Sequence, residues 1–504
     1  MKLNVSGNIN QYYVQTLCMI FFPGERFSAE EQSEDAEGLA VPELSMTLEE
    51  SDDGVRVFAE LSLDEKYASS EKIYQNRDDI TRDRLKKIAV GDAILSVCGE
   101  VIGYRPSWGM LVGVRPSKVA TEMLESGMSK TKVKKTLVSD YFVIPKKAAL
   151  ATEVALNETE FVKSADSKDC SVYISIPFCP TRCAYCSFVS YTSKKLLATI
   201  PDYLVALGDE INKTFSLIRE LGLNVKTVYI GGGTPTILDN DQLDWLLATV
   251  ESNVDPLSLA EYTLEAGRPD TITEEKMRIA IARGVTRISV NPQTLNDDVL
   301  RIIGRSHTAE DFLKAYQIAR DAGIKIINTD VIAGLPGDKF SSFASSYDKI
   351  VSLRPENITI HTFSVKKASD FLKSSTHIYS IRGGDVGKCV DYSQITAQHE
   401  GYEPYYMYRQ KNTVGNYENV GFALDGYKGL YNIYMMEEIH SIFACGAGAV
   451  SKFVDYNPKD GSPRVIERFF NPKYPYEYLS DNKTEQKIAA ALEFYNRRNL
   501  SQEK

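Results

Sequence analysis

From about residue 170 onward, short β-branched runs alternate with longer stretches of helical periodicity. The runs at 171–177, 225–230, 261–265, 286–290, 325–332 and 357–363 are short, apolar and β-branched, which predicts buried strands. The stretches 201–221, 240–251, 273–283, 309–322 and 340–353 predict helices, with Thr308 and Asp311 placed to cap the fourth. Strand–helix alternation of this kind predicts βα units around a parallel sheet. This number of strands and helices predicts an incomplete (β/α) barrel, where functional groups gather at the C-terminal ends of strands.

The first 165 residues have a different texture and the size of a domain. Val55–Leu63 alternates as a strand does, and Asp79–Val90 reads as an amphipathic helix that stops at Gly91. The apolar run Thr16–Phe22 reads as core, and 30–45 as an acidic loop. Gly113–Lys118 reads either as a basic binding turn or as the start of a helix with Pro in its first turn. The tail crowds Tyr402, Tyr405, Tyr406, Tyr408, Tyr417, Tyr427, Tyr431 and Tyr434, and its polar end from Asn496 is expected to fray. The expected organisation is an N-terminal α+β domain over 1–165, a partial α/β barrel over 166–370 and a C-terminal α/β extension over 371–504 that covers the substrate.

Composition narrows the classes. With 504 residues, 43% hydrophobic and 25% charged, the chain has room for a large core. A net charge of −10 argues against a general nucleic-acid binder. No apolar run approaches bilayer-spanning length, and Met1–Gly7 lacks a signal-peptide pattern. Eight cysteines in a chain this long are not a disulfide framework, so a reducing cytoplasmic setting is expected.

Three of those cysteines stand together. Cys179, Cys183 and Cys186 form a CxxxCxxC triplet directly after the predicted strand 171–177. Thiolates this close in sequence can converge on one soft metal centre. Three ligands are one short of a closed zinc site or a fully ligated four-iron cluster, and a cluster so held keeps one iron open. Structural zinc would need a fourth ligand, yet no histidine precedes His307 and Cys170 lies on the far side of the strand. Buried thiols acting as small hydrophobes are the other plain alternative.

Further polar groups fall at the following strand ends. Gly231-Gly232-Gly233-Thr234-Pro235-Thr236 follows the second strand, where glycines let backbone approach a ligand. Glu265 closes the third strand as a lone carboxylate in apolar surroundings. Ser289-Val290-Asn291-Pro292-Gln293-Thr294 closes the fourth, with Arg305 and His307 beyond it, and Asp330 lies inside the fifth. One such residue could be structural; one at each of several successive strands points to a site.

The CxxxCxxC triplet, the Gly-Gly-Gly-Thr-Pro-Thr loop, Asp330-Val-Ile-Ala-Gly-Leu-Pro-Gly337 and Tyr408-Arg-Gln-Lys-Asn412 together resemble the oxygen-independent coproporphyrinogen III oxidase (dehydrogenase) family of radical S-adenosylmethionine (radical SAM) enzymes. Over its whole length the chain most resembles the HemZ branch. The resemblance implies a partial (β/α)6 radical SAM barrel. It implies that Cys179, Cys183 and Cys186 hold a [4Fe-4S] cluster. Tyr173, Tyr185, Gly232 and Glu265 match positions holding the S-adenosylmethionine chelated to iron, and Val450 matches one near its adenine. Gly233, Thr234, Gln293, Arg305, Asp330 and Ser364 match positions lining a second S-adenosylmethionine or the substrate.

The implied reaction is radical oxidative decarboxylation of two coproporphyrinogen III propionates to vinyl groups, giving protoporphyrinogen IX. It needs a small flavodoxin- or ferredoxin-type reductant, and a monomer is expected. Arg268, Arg305 and Arg409 are candidate propionate partners, with a surface ion pair as the plain alternative for each. Two departures matter. Phe188 stands where the best-studied oxidases carry a fourth cysteine, and Tyr408–Asn416 lacks the histidine of the related haem chaperones, leaving Met407 or Tyr408 as formal iron ligands with a core role as the alternative. A haem-trafficking protein and a radical SAM enzyme acting on another tetrapyrrole, such as a haem-degrading methyltransferase, remain as alternatives.

Overall fold

Alternation builds the first sheet. In Gly54–Leu63, Val55, Val57, Ala59 and Leu61 are buried while Arg56 and Phe58 face outward, as successive strand side chains must. The computed structural model describes residues 1–502 except 23, 24, 26, 28–40, 114, 187–189, 365–384, 411, 412 and 457–463. In it this run is β3 (Gly54–Leu63) of a sheet ordered β1-β2-β3-β4, with β1 (Lys2–Ser6), β2 (Glu43–Ser51) and β4 (Lys66–Gln75). The helices Gln11–Phe21 and Arg82–Ile102 complete its core, and Leu17, Cys18 and Phe21 of the apolar run beginning at Thr16 are fully buried.

The second helix passes through its expected stop at Gly91 and ends at Gly103, where φ is +67°. Gly91 serves packing instead, because a Cβ there would meet Met110 Sδ at 3.0 Å and Tyr13 Oη at 3.1 Å. Pro116 opens the helix Pro116–Glu125, so the ambiguous turn is the start of a helix. Residues 30–40 of the expected loop, Phe188, the expected boundary at 370/371, and Lys411 and Asn412 lie outside the described residues.

The second sheet carries the predicted strands: β5 (Asp169–Ile176), β6 (Asn224–Gly232), β7 (Glu261–Glu265), β8 (Arg287–Ser289), β9 (Ile326–Ala333) and β10 (Asn357–Thr362). They lie side by side in the order β10-β9-β8-β7-β6-β5, all parallel. The connecting helices follow the predicted periodicity; Ile200–Glu220, for example, buries Tyr203, Leu207, Ile211, Phe215 and Ile218. Thr308 and Asp311 form a reciprocal capping box. The short helix Asp297–Ile302 is an addition.

The C-terminal tail contributes strands the pattern does not predict: β11 (Glu403–Tyr408), β12 (Asn419–Ala423), β13 (Ser441–Cys445), β14 (Val450–Asp455) and β15 (Val465–Phe470). β13 runs parallel beside β5, with β14 and β15 antiparallel beyond it, and β12 pairs antiparallel with β10. Every position of β12 and β13 is buried, so neither shows alternation, and a five-residue apolar run does not announce its conformation. The final helix runs Thr484–Gln502, into the stretch expected to fray, whose last two residues lie outside the described ones. No helix among the described residues is long and apolar enough to cross a membrane.

The chain divides into two compact units. One takes in Met1–Ala155 with the returning stretch Tyr408–Glu418; the other takes in the described residues of Leu156–Thr376, Asp385–Met407 and Asn419–Lys504. Within the first, the fully buried Glu418 accepts from Lys147 Nζ at 2.6 Å and Trp108 Nε1 at 2.7 Å. Arg409 donates from its terminal nitrogens to the Leu111 carbonyl and the Asn416 side chain, and Tyr104 Oη donates to the Gly415 carbonyl at 3.0 Å. Breaking a buried ion pair strands its partner at a cost of about 3–5 kcal/mol. Glu418→Ala is therefore expected to lower the unfolding free energy of this unit by about 3–5 kcal/mol in urea titrations. A loss below about 1 kcal/mol, the value of an exposed pair, would contradict this account.

Candidate functional site

The site begins where β5 ends. Phe178 bridges to Tyr191, and backbone bonds from Cys179 N to Tyr191 O and from Tyr191 N to Pro177 O, both 3.0 Å, close the base of the cysteine loop. Inside the loop Cys186 N donates to Cys183 O at 3.0 Å, and Ala184 N reaches across to Ile303 O at 3.0 Å. Cys179 is buried, with Sγ 3.3 Å from Thr234 Oγ1, while Cys183 and Cys186 are half-buried. Burial pushes the Cys179 thiol up, as it does the buried Cys170 and Cys445. Among the described residues no three or more His, Cys, Asp or Glu side chains come together to hold a metal ion, the cysteine triplet included.

The glycine loop lies against the cysteine loop. The β5–β6 register pairs Ser175 with Gly231 and Ile176 with Gly232. Gly233 N and Thr234 N then donate to Ile176 O at 2.8 Å and Phe178 O at 2.7 Å. A Cβ on Gly233 would lie 2.5 Å from Phe178 O, and one on Gly231 would lie 2.8 Å from Glu265 Oε2. At Gly233 the contact is with backbone, which admits only glycine, whereas at Gly231 it is with the Glu265 and Tyr229 side chains. Gly232 itself has φ +105°.

Glu265, at the end of β7, accepts from Tyr229 Oη. Burial pushes its carboxyl up to about 7; the Tyr229 hydroxyl pulls it partway back and the Asp330 charge adds to the rise. Tyr229 stacks on Tyr431, with centroids 4.5 Å apart, and on Tyr173 of β5 at 6.1 Å. Neither Tyr229 nor Tyr431 is marked in the sequence as anything but aromatic core. Their phase in the strand and helix is the only signal available.

The next strand ends carry a polar lattice. Asn291 Nδ2 donates to Asp330 Oδ2 at 2.9 Å and Asn291 Oδ1 accepts from Asp330 N at 3.1 Å. Asn328 donates to the other Asp330 oxygen at 2.7 Å, and His361 Nε2 stands 3.6 Å from Oδ2. Burial alone would raise the Asp330 pKa, but His361 and these hydrogen bonds outweigh it and hold it low. His361 is not marked in the sequence, and Asn291 is marked only as one residue of the strand-end run 289–294, although each is a polar residue at the close of an apolar strand.

Gln293 has φ +67°, the left-handed region that side-chain-bearing residues rarely adopt, and its buried Oε1 has no hydrogen-bond partner. Backbone bonds from Gln293 N to Asp330 O and from Ile332 N to Gln293 O hold it there. Strain of this kind persists only when the surroundings enforce it. Arg305 donates to Gly267 O at 3.1 Å, to Asn291 O at 3.3 Å and to Tyr185 Oη at 3.0 Å. Burial and the adjacent Arg305 push His307 down to about 4. Ser364 is buried just past β10.

The loop after β13 packs at the same end of the strands. Ser175 Oγ donates to Ala447 O at 2.9 Å, and Gly446 N donates to the buried Glu210 at 2.7 Å. Lys487, Asn471 and Tyr478 also donate to Glu210, and Val450 follows the loop as the first residue of β14. The structure thus gathers the cysteine loop, the glycine loop, Glu265, Gln293, Arg305 and Asp330 toward the C-terminal ends of the neighbouring strands β5 to β9. Arg268, Arg305 and Arg409, the candidate propionate partners, are all buried, so the alternative of a surface ion pair does not apply to them. The terminal nitrogens of Arg409 are engaged within the first unit, and those of Arg268 on the cysteine loop and Asp270. Met407 is fully buried core.

Residues 173–350 match the Radical SAM superfamily. The oxygen-independent coproporphyrinogen-III oxidase-like protein HemZ of Bacillus subtilis is 36% identical over 453 residues, covering 88% of this chain and 89% of its own. The heme chaperone HemW of Bacillus subtilis is 30% identical over 326 residues, covering 63% of this chain and 80% of its own. Among solved structures, the radical SAM coproporphyrinogen III oxidase HemN of Escherichia coli aligns with 18% identity and a TM-score of 0.47, over 66% of this chain and 73% of its own. With the cysteine triplet set at the C-terminal end of a parallel strand and identity running through nearly the whole length, the chain belongs to the HemZ family of oxygen-independent coproporphyrinogen-III oxidase-like proteins, within the radical SAM superfamily.

Proposed function

We propose that this protein carries out radical oxidative decarboxylation of coproporphyrinogen III, converting propionate side chains to vinyl groups. The cofactors of the superfamily are a [4Fe-4S] cluster and S-adenosylmethionine. When bound, they supply a 5′-deoxyadenosyl radical able to abstract hydrogen from carbon. The residues present fit them: three soft thiols on one short loop, a glycine cradle a side chain would fill, and an orphaned buried amide oxygen on Gln293.

In this reading Cys179, Cys183 and Cys186 hold the cluster and leave one iron open. Gly232 and Glu265 hold the amino group and ribose of S-adenosylmethionine, and Tyr173 and Tyr185 flank it, with Val450 beside the adenine. Gly233, Thr234, Gln293, Arg305, Asp330 and Ser364 line a second S-adenosylmethionine or the tetrapyrrole. Their fixed geometry is what a reactive radical requires, since positioning decides which hydrogen is taken. A small one-electron reductant protein would supply the electron that starts each round, and a one-electron acceptor would take up the electron that the substrate releases with carbon dioxide as the vinyl group forms.

The observation that carries the reading is Gln293. Its strained backbone and unpartnered amide oxygen lie in the lattice that also holds Asp330. A second reading, haem carriage, is favoured by the similarity to HemW. Against it, Tyr408–Asn416 offers no histidine and Met407 is fully buried. Anaerobic reconstituted protein, given coproporphyrinogen III, S-adenosylmethionine and a strong reductant, is expected to yield 5′-deoxyadenosine, carbon dioxide and a vinyl-bearing product. An untouched substrate together with stoichiometric haem binding and a resolved Soret band would replace this reading with the carrier.

A pH dependence follows from Glu265, whose carboxyl is pushed up to about 7 by burial. A ribose diol donates to the ionised form, which is mostly lost at pH 6 and mostly present at pH 8. S-adenosylmethionine is therefore expected to bind about tenfold more weakly at pH 6 than at pH 8. Equilibrium dialysis on anaerobic holoprotein checks this, with Glu265→Gln expected to bind weakly and without that slope. Equal affinity at both pH values in the parent protein would remove Glu265 from the ribose.

A further inference from the structure

Arg268 reads from the sequence as a propionate partner, and the structure gives its guanidinium a different task. The residue is 3% exposed. Nε and one terminal nitrogen form a bidentate pair with Asp270 at 3.0 and 3.1 Å. That second nitrogen also reaches Thr181 Oγ1 at 2.9 Å and Ser306 Oγ at 2.8 Å. The other terminal nitrogen donates to Thr181 O at 3.3 Å and to Cys183 Sγ at 3.7 Å. The cation is thus clamped onto the cysteine loop, with a donor aimed at one of its sulfurs.

We propose that Arg268 is a positioning residue that raises the reduction potential of the cluster through its charge and its N–H···S bond to Cys183. The proposal rests on the cluster reading above. A cluster held by three thiolates is anionic, and reduction adds a further negative charge. A buried cation beside it interacts more strongly with the reduced form, and hydrogen bonds to ligand sulfur act in the same direction. Asp270, paired with the guanidinium, offsets part of that field. The two side chains therefore push the potential in opposite directions, although Asp270 reaches the loop only through Arg268. A purely structural role predicts no such opposition of sign.

The test is an anaerobic redox titration of the reconstituted full chain, followed by electron paramagnetic resonance of the reduced cluster, with iron content measured on each sample. Arg268→Gln is expected to leave about tenfold less reduced cluster at a fixed solution potential, a shift of about −59 mV for a one-electron couple. Asp270→Asn is expected to shift the potential positive, and Arg268→Lys, which keeps the charge but loses the fork, to fall between the parent and Arg268→Gln. An unmoved potential in an iron-replete Arg268→Gln protein overturns the proposal and leaves the cluster reading intact. If Arg268→Gln does not hold iron, Asp270→Asn decides, and a shift of zero or negative sign overturns the proposal. Failure of the parent protein to assemble any cluster removes the reading beneath it instead.

Discussion

Two backbone hydrogen bonds hold the site together: Gly233 N to Ile176 O at 2.8 Å and Thr234 N to Phe178 O at 2.7 Å. They continue the β5–β6 ladder past its last paired residues, Ile176 and Gly232. Each is worth about 1 kcal/mol net, but as an extension of a parallel ladder they inherit its register. That register brings the loop carrying Cys179 against Thr234, and the neighbouring β6–β7 register sets Gly231 against Glu265. A side chain on Gly233 would strike Phe178 O, so the seam exists only because the residue there is glycine. A parallel sheet with its helices on the outside leaves these strand ends free to be built as a site.

The C-terminal tail adds to the same strand ends. β13 lies beside β5, and its following loop is tied down by the buried Glu210, which is held by Lys487 from the last helix and by Asn471 and Tyr478. Burial raises a carboxyl, yet the Lys487 charge and these donors hold Glu210 low. At the opposite ends of the strands, Glu261 pairs with Arg287 and accepts from the backbone nitrogens of Leu430 and Tyr431. That anchors the short helix Leu430–Glu437, whose Tyr431 stacks on Tyr229. The residues around the glycine loop are thus supported from both ends of the strands.

Much of this was legible in the sequence because parallel βα units write a strong local pattern. β5 to β10 and their main helices follow from runs of Val and Ile broken by amphipathic stretches, and the cysteine triplet and Gly-rich loop follow from spacing. What was not legible depends on long-range packing. β12 and β13 show no alternation because every residue is buried. Gly91 looks like a helix stop, and only its contact with Met110 and Tyr13 explains it as a point of close approach. Arg268 looks like a substrate cation until its partners Asp270, Thr181 and Cys183 are seen. The strain on Gln293 comes from the backbone of β9, far away in sequence.

The central claim is that three cysteines on a braced loop hold a four-iron cluster with one iron open to S-adenosylmethionine. Mössbauer spectroscopy of anaerobically reconstituted, iron-57-enriched protein tests it most directly. The account predicts close to four irons per chain, with one iron whose signal changes when S-adenosylmethionine is added, and a higher S-adenosylmethionine concentration needed for that change after Glu265→Ala. Stoichiometric zinc in place of iron, or a cluster whose irons all ignore S-adenosylmethionine, would contradict it.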